Sequence, residues 1–296
     1  MVKWSHKWQL HLFLLPSVLL LLIYSYVPLF GVVIAFQNFK PYKGLFHSDW
    51  VGLAHFRTMF ADEMVIGIIT NTLVIALGKM ILGWIVPLIF ALLLNEIRKV
   101  LIKRTIQTLV YLPHFMSWVI LAGMLTDMLS QKGIINQFLT SLNLSPIFFL
   151  GDGDWFRMTM IASDVWKEFG FGAIIYLAAI ASVNPALYEA AEIDGANRWH
   201  QTLHVTFPAI LPVGIVIGTL ALGNILNGGF DQIYNMMNAL VSDKGEIIDT
   251  YVFKMGIQQG AFSMSTAVGL FKSVVSFIMI GITYKMAIKY ANYRIF

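Results

Sequence analysis

Apolar residues run along this chain in six long blocks, and most of the charged residues fall between them. The blocks are Leu10–Phe36, Met64–Asn95, Ile106–Met128, Met158–Val183, Pro208–Leu226 and Thr266–Ile288. Each is close to or above the roughly 20 apolar residues with which a helix crosses ~30 Å of hydrocarbon. The first block is far longer than the apolar core of a signal peptide, about 7–15 residues, and reads as a retained anchor. Two intervening segments are more than bare connectors. Leu45–Phe60 places Trp50, Leu53, Phe56 and Phe60 at helical spacing, which predicts a helix lying along the outer surface. Gly228–Gly260 mixes aromatic, amide and charged residues and is expected to dip back into the protein.

Six spans put both termini on one side. That side holds Lys3, Lys7, Arg98, Lys99, Lys103, Arg104, Arg198, Lys285, Lys289 and Arg294. The other side carries fewer basic residues against a larger set of acids. The positive-inside rule therefore places the termini and the 96–104 loop in the cytoplasm. Composition agrees with a membrane protein: 58% of the 296 residues are hydrophobic and 12% charged, about half the charge of a soluble domain. The net charge of +4 is scattered near the ends of the apolar blocks, so topology explains it better than a nucleic-acid surface. The absence of cysteine excludes disulfides and thiolate metal sites.

One cytoplasmic interruption stands out, YEAAEIDGANRW at Tyr188–Trp199. Asn184 is a good N-cap, and Pro185 at the first helical position gives up an amide that would be unpaired anyway. A short helix over Pro185–Asp194 follows, with Glu189 and Glu192 on adjacent turns, and Gly195 ends it by taking the left-handed conformation. Its acids oppose the positive-inside bias. Two readings of these residues stand side by side: a solvated loop whose acids cap helix ends, and a docking element for a basic groove on a soluble partner.

Glu189-Ala190-Ala191, Asp194-Gly195-Ala196 and Phe207-Pro208 together resemble the EAA loop of ATP-binding-cassette importer permeases. The family pattern is Glu-Ala-Ala, three residues, Gly, nine residues, then Ile-x-Leu-Pro; this chain keeps the spacing with Val205 and Phe207 at the two apolar positions and Pro208 at the last. The stretches AFQNFKPYKG, WVGLAHF, ALLLNEIRK, QTLVYLPHFMSWV, GFDQIYNMMN, DTYVFKMG and STAVGLFKSVVSF extend the resemblance over nearly the whole chain. They are most similar to carbohydrate permeases of the polysaccharide and complex-oligosaccharide branch.

The resemblance implies an all-α integral membrane protein, with six transmembrane helices in a MetI-like type I importer fold. It implies a single permease domain over 1–296, with a coupling loop at about 184–207. It implies a multi-pass subunit of a bacterial cytoplasmic membrane. A second, commonly different, permease chain would pair with it, alongside two ATPase subunits and an extracytoplasmic, lipid-anchored sugar-binding protein on a separate chain. The coupling helix would seat in a cleft of the ATPase, with Glu189 in a salt bridge, Gly195 setting the turn, and Ala190, Ala191 and Ala196 allowing close approach. No catalytic residue, cofactor or metal site is expected here. The only Gly-Lys, Gly78-Lys79, is followed by Met80 inside an apolar block and is no phosphate loop. ATP and Mg belong to the partner ATPase.

Asp164, Lys167 and Glu168 fall in the fourth block, Lys79 in the second and Lys272 in the sixth. An ionised group at the bilayer centre costs about 2.5–3.5 kcal/mol on insertion scales. Lys79 and Lys272 are therefore expected to pair with Asp164 and Glu168. The alternative is that these groups line a cavity, or that Asp164 and Glu168 carry protons in an ion-coupled secondary transporter. An intramembrane enzyme using Asp164 with His114 or Glu168 lacks any recognisable nucleophile–base spacing. Sugars call for amides, hydroxyls and aromatic faces. Asn224, Asn227, Phe230, Asp231, Gln232 and Tyr234 supply these near the outer end of the fifth block, with Trp166 and Tyr176 in the fourth. Core packing or the interfacial belt is the competing role for each aromatic. Gly214 and Gly218 read as a packing motif.

Overall fold

The computed structural model describes residues 4–291, leaving out the side chains at 4–7, 9–10, 287 and 289–291. Of the residues used above to orient the chain, Lys3 and Arg294 lie outside the described residues, as do the side chains of Lys7 and Lys289. The main helices, in order, are α1 Trp4–Leu21, α2 Ala54–Ala61, α3 Glu63–Asn95, α4 Val100–Tyr111, α5 Trp118–Leu129, α6 Ile134–Ser141, α7 Gly153–Ala181, α8 Pro185–Ile193, α9 Phe207–Leu222, α10 Phe230–Met236, α11 Ile248–Phe253 and α12 Phe262–Ala291. Among the described residues, four continuous helical stretches are long and apolar enough to cross a membrane, His11–Phe36, Glu63–Asn95, Arg198–Leu222 and Phe262–Met286. Two bent pairs, Val100–Phe115 with Trp118–Ser141 and Gly153–Ala181 with Pro185–Ile193, bring the number to six when each counts as one span.

The chain forms two compact units. The first comprises the residues up to Glu63 together with Tyr251–Phe271. Here α1 runs on through a π-helical turn at Leu22–Tyr26 and a 3-10 stretch at Phe30–Phe36. The π turn precedes Pro28, whose ring would clash with the carbonyl four residues back in a regular helix, and the wider turn relieves that clash. Strand β1, Gln37–Asn38, pairs antiparallel with β2, Asp49–Trp50, in the register Gln37 opposite Trp50. The continuous helix expected over Leu45–Phe60 is thus broken. Only Gly44–His47 and α2 are helical, because the backbone at Asp49–Trp50 is spent on the strand pair and Gly52 turns at φ +60°. Phe36 stacks on Trp50 at 5.7 Å and meets Phe56 at 5.5 Å, so two of the residues that suggested an amphipathic helix serve a small aromatic core.

The second unit, Met64–Thr250 with the chain from Lys272, holds the candidate sites. Among the described residues, its interior includes an apolar cluster around Ile75, Phe156, Met160 and Ile233 and another around Ala91, Ala173, Tyr176 and Ile210. The expected straight span Ile106–Met128 is corrected: helix α4 and the 3-10 turn Leu112–Phe115 end at Met116, and the chain resumes as α5 after a bend of 104°. Pro113 offers no amide to continue a helix, Met116 is extended at ψ 140°, and the Ser117 hydroxyl accepts from the Ile120 amide to cap the new helix. Hydropathy is continuous across that break, so periodicity does not reveal it. The 228–250 stretch does fold back inside: Gln232, Ile233, Met236, Ile247 and Ile248 are buried, and α10 packs on α5 and α7. Gly214 and Gly218 receive the Trp84 indole, which donates to the Gly214 carbonyl at 2.7 Å.

Candidate functional site

Two places concentrate the chemistry. The first is α8 and its flanks. The Asn184 side chain accepts from the Ala186 amide at 3.1 Å, and Pro185 occupies the first helical turn. At the other end the Gly195 amide donates to the Glu192 carbonyl at 3.0 Å and the Ala196 amide to the Ala191 carbonyl at 2.9 Å. This is the paired closure of a left-handed helix cap, and Gly195 sits at φ +76°. A Cβ at Gly195 would meet nothing within 4 Å, so backbone conformation rather than space demands glycine there. Glu189, Ala190, Glu192 and Asp194 are exposed, and Ile193 is 87% exposed beside them.

The helix is fastened on both sides. Tyr188 Oη and Thr206 Oγ1 share a hydrogen bond of 2.9 Å. Arg198 pairs with Glu96 at 3.2 Å, and Thr202 donates to the other oxygen of the same carboxylate at 3.1 Å. Glu96 lies just past the end of α3, so this one carboxylate ties α3 to the segment after α8. It was not singled out from the sequence, although an acid embedded in the basic ALLLNEIRK stretch was a signal to be read. A second π turn, Thr202–Thr206, precedes Pro208 and carries the helix into α9, as the turn before Pro28 does in α1.

The second place lies among α3, α7 and the end of α9. The Lys79 ammonium donates to the Gly228 carbonyl at 2.8 Å and to Gln232 Oε1, and stands 3.3 Å from Asp164 Oδ1. Gln232 in turn donates to the Met160 carbonyl at 2.9 Å and to Ser163 Oγ at 2.8 Å. An open cavity of about 350 Å³ adjoins this knot, lined by Ala76, Lys79, Met80, Asp164, Ala221, Asn224, Asn227 and Gly229.

Of the residues proposed for a sugar path, Asn224 and Asn227 line this cavity. Gln232 is fully buried and committed to the knot, and Tyr176 is buried with its hydroxyl donating to the Trp84 carbonyl at 3.3 Å. Trp166 borders a different cavity of about 310 Å³, with Leu125, Phe149 and Trp155. Phe230 and Tyr234 stack on each other at 5.2 Å, one turn apart, and Asp231 is exposed. The charge pairing differs from expectation for two residues. Lys272 pairs with Asp249 at 2.5 Å, and Glu168 binds His114 Nδ1 at 2.6 Å and Lys167 at 2.7 Å. Asp249 comes from the folded-back stretch and His114 from the broken third span, so each partner depends on a bend.

A further polar cluster anchors the folded-back stretch. Asn71 donates to the Asp243 and Glu246 carbonyls at 2.8 and 3.2 Å, while Arg157 donates to Asn71 Oδ1 and to the Lys244 carbonyl. At the first turn of α7, the hydrogen bond from Lys244 to Asp154, 2.6 Å long, holds that carboxyl below the usual carboxylate range.

With this geometry established, comparison with known proteins is informative. Residues 80–287 match the family described as binding-protein-dependent transport system inner membrane component. Protein LplB of Bacillus subtilis (strain 168) is 46% identical over 275 residues, which are 93% of this chain and 86% of its own. The polygalacturonan/rhamnogalacturonan transport system permease protein YteP of the same organism is 41% identical over 297 residues, 100% of this chain and 92% of its own. A chain in the crystal structure of a bacterial ABC transporter involved in the import of the acidic polysaccharide alginate superposes with a TM-score of 0.89 at 36% identity, covering 97% of both chains. A chain of the bacterial alginate ABC transporter in complex with an alginate pentasaccharide-bound periplasmic protein gives 0.88, covering 97% of this chain and 96% of that one. The matched region contains α8, its fastenings and the whole cavity wall from Met80 onward. This protein is therefore a multi-pass, six-helix permease of MetI-like type I fold, and it belongs to the binding-protein-dependent transport system inner membrane component family.

Proposed function

We propose that this chain is the transmembrane subunit of an ATP-driven importer of oligo- or polysaccharides, forming half of the translocation pathway and engaging an ATPase through α8. The observation that carries this reading is the presentation of α8: an exposed acidic helix with an exposed Ile193, closed by a fixed cap at Gly195 and tied to α3 and α9. An acidic rim around an apolar tip is the surface a basic, partly apolar cleft would accept. The ties matter equally. A force applied to α8 passes through Tyr188–Thr206 into α9 and through Arg198–Glu96 into α3, so α8 moves with the bundle rather than sliding over it. Two docked α8 helices drawn together by ATP-bound ATPases would rock the paired bundles as rigid bodies.

In this reading the chain performs no catalytic step. ATP and Mg belong to two ATPase partners, a second permease chain supplies the other half of the path, and an extracytoplasmic, lipid-anchored binding protein delivers sugar. Both termini and α8 face the cytoplasm of a bacterial cell. The relatives named for saccharide transport support the substrate class.

The test is gentle detergent purification of the chain from its native membrane, with every stoichiometric companion identified. Recovery of an ATPase and a second six-span chain, with the ATPase lost from a Glu189→Ala/Gly195→Asp variant, is expected. Recovery of the chain alone, transporting in a manner abolished by an uncoupler and indifferent to ATP, would instead make it a secondary transporter using Asp164 and Glu168.

A further inference from the structure

The elbow between α3 and α4 carries charge that the chain itself does not answer. Arg98, Lys99, Lys103 and Arg104 crowd into the first turn of α4 and the residues just before it. Elsewhere basic side chains find acids: Lys79 with Asp164, Lys272 with Asp249, Lys244 with Asp154, and Arg198 with Glu96. Among the described residues, none of the four elbow cations reaches a carboxylate. Glu96, the acid beside them in sequence, is already shared by Arg198 and Thr202. Arg98, Lys99 and Arg104 are exposed and Lys103 is half-buried. The same turn also shows aliphatic surface: Val100, Leu101 and Ile102 are 62, 79 and 45% exposed. Successive helical residues point ~100° apart, so these three spread over more than half of the circumference. The positive-inside bias accounts for cations between two spans, but it asks for no aliphatic residues among them.

Water would solvate the cations and penalise the aliphatic residues, and hydrocarbon would do the reverse. The boundary between headgroups and acyl chains suits both, because a basic side chain there lays its stem on the apolar layer and lifts its charge to the headgroups. We propose that the α3–α4 elbow is a binding site for an anionic phospholipid, with the phosphodiester among Arg98, Lys99, Lys103 and Arg104 and the acyl chains on Val100, Leu101 and Ile102. The guanidinium forks of Arg98 and Arg104 can each meet two phosphate oxygens, and the lysines add point charges. A zwitterionic lipid brings its own cation to this place and gains little. An occupied site steadies the elbow close to Glu96, the carboxylate that ties α3 to Arg198. Membrane placement, which the family establishes, is all that this site requires, and the import reading does not enter.

For the test, the full complex is placed in phosphatidylcholine nanodiscs with a trace of phosphatidylglycerol carrying a photoreactive diazirine on an acyl chain, close to the glycerol. Cross-linked peptides are mapped on this chain by mass spectrometry. Labelling is expected at Val100, Leu101 and Ile102, displaced by unlabelled phosphatidylglycerol and untouched by added phosphatidylcholine or millimolar inorganic phosphate. A basic residue facing an anionic headgroup favours it roughly fivefold, so Lys99→Gln/Lys103→Gln should lower labelling of this turn by about tenfold or more. Lys99→Arg/Lys103→Arg should keep it. A phosphatidylcholine probe with the same diazirine is the reference and should label parent and variants alike. Equal labelling by the two probes, a preference unmoved in the Gln variant, or displacement by inorganic phosphate would overturn the proposal. An unlabelled elbow would overturn it as well, and loss of the ATPase from the Gln variant would then assign the cations to a soluble partner. If the Gln variant does not assemble, the two probes on the parent decide: the preference for phosphatidylglycerol should collapse when salt screens the exposed charges, and a preference indifferent to salt would refute the site.

Discussion

Lys79→Met is the most informative single perturbation of this fold. The substitution keeps the length and apolar stem of the side chain and deletes the ammonium. Three groups lose their partner together: the Asp164 carboxylate at 3.3 Å, the Gly228 carbonyl at 2.8 Å and the amide oxygen of Gln232. Breaking a buried ion pair by removing one partner costs about 3–5 kcal/mol. The two hydrogen bonds from a charged donor are each worth about 1.5–3 kcal/mol, but they belong to the same loss and do not simply add. An expected destabilisation of about 4 kcal/mol follows, at a position only 9% exposed, where solvent screening is weak. At about 2–4 °C per kcal/mol for a unit of this size, the melting temperature in detergent should fall by roughly 8–16 °C. The discriminating assay is a double-mutant cycle with Asp164→Asn. If the two residues act as a pair, the double variant should be more stable than the sum of the single losses by about 1.5 kcal/mol or more. Additive losses would show that Lys79 serves only the Gly228–Gln232 segment, and would refute the pairing argument on which the knot rests.

Three further outcomes are expected. Gly195→Val forces a β-branched residue to φ +76° with open space around it, a backbone cost of about 1–2 kcal/mol confined to the end of α8; insertion should hold and the melting temperature should fall by no more than about 2–8 °C, while the ATPase no longer copurifies. Glu96→Gln weakens an exposed tie worth about 0–1 kcal/mol to folding, so stability should be unchanged, yet uptake per ATP hydrolysed should drop severalfold in proteoliposomes. Lowering the pH tests the first turn of α7. Lys244 depresses the Asp154 carboxyl below its ordinary value of 3.8, so the stabilisation is fully present above that value and is lost as pH falls through the folded-state value. Hydrogen exchange at Trp155 and Phe156 in acid should rise in the parent and be already raised at neutral pH in Lys244→Gln.

The signals that survive in the bare sequence are those whose physics is local. A run of about 20 apolar residues leaves its backbone satisfied in lipid only as a helix, so the blocks, and with them six spans, were readable from hydropathy. The helix at Pro185–Ile193 was equally readable, because Asn184, Pro185 and Gly195 act on their own amides and dihedral angles within a few residues. The spacing of the EAA loop pointed to the family for the same reason. What tertiary structure alone decided concerns faces brought together across long stretches of chain. The bend at Met116–Ser117 lies inside unbroken hydropathy, and it is this bend that places His114 beside Glu168. The return of the 228–250 stretch brings Asp249 to Lys272 and sinks Gln232 between Lys79 and Ser163. An intramembrane charge announces that it needs a partner, because an unpaired charge in hydrocarbon is costly. Which partner it takes is settled by the path of the chain between them, and no spacing along the sequence encodes that path.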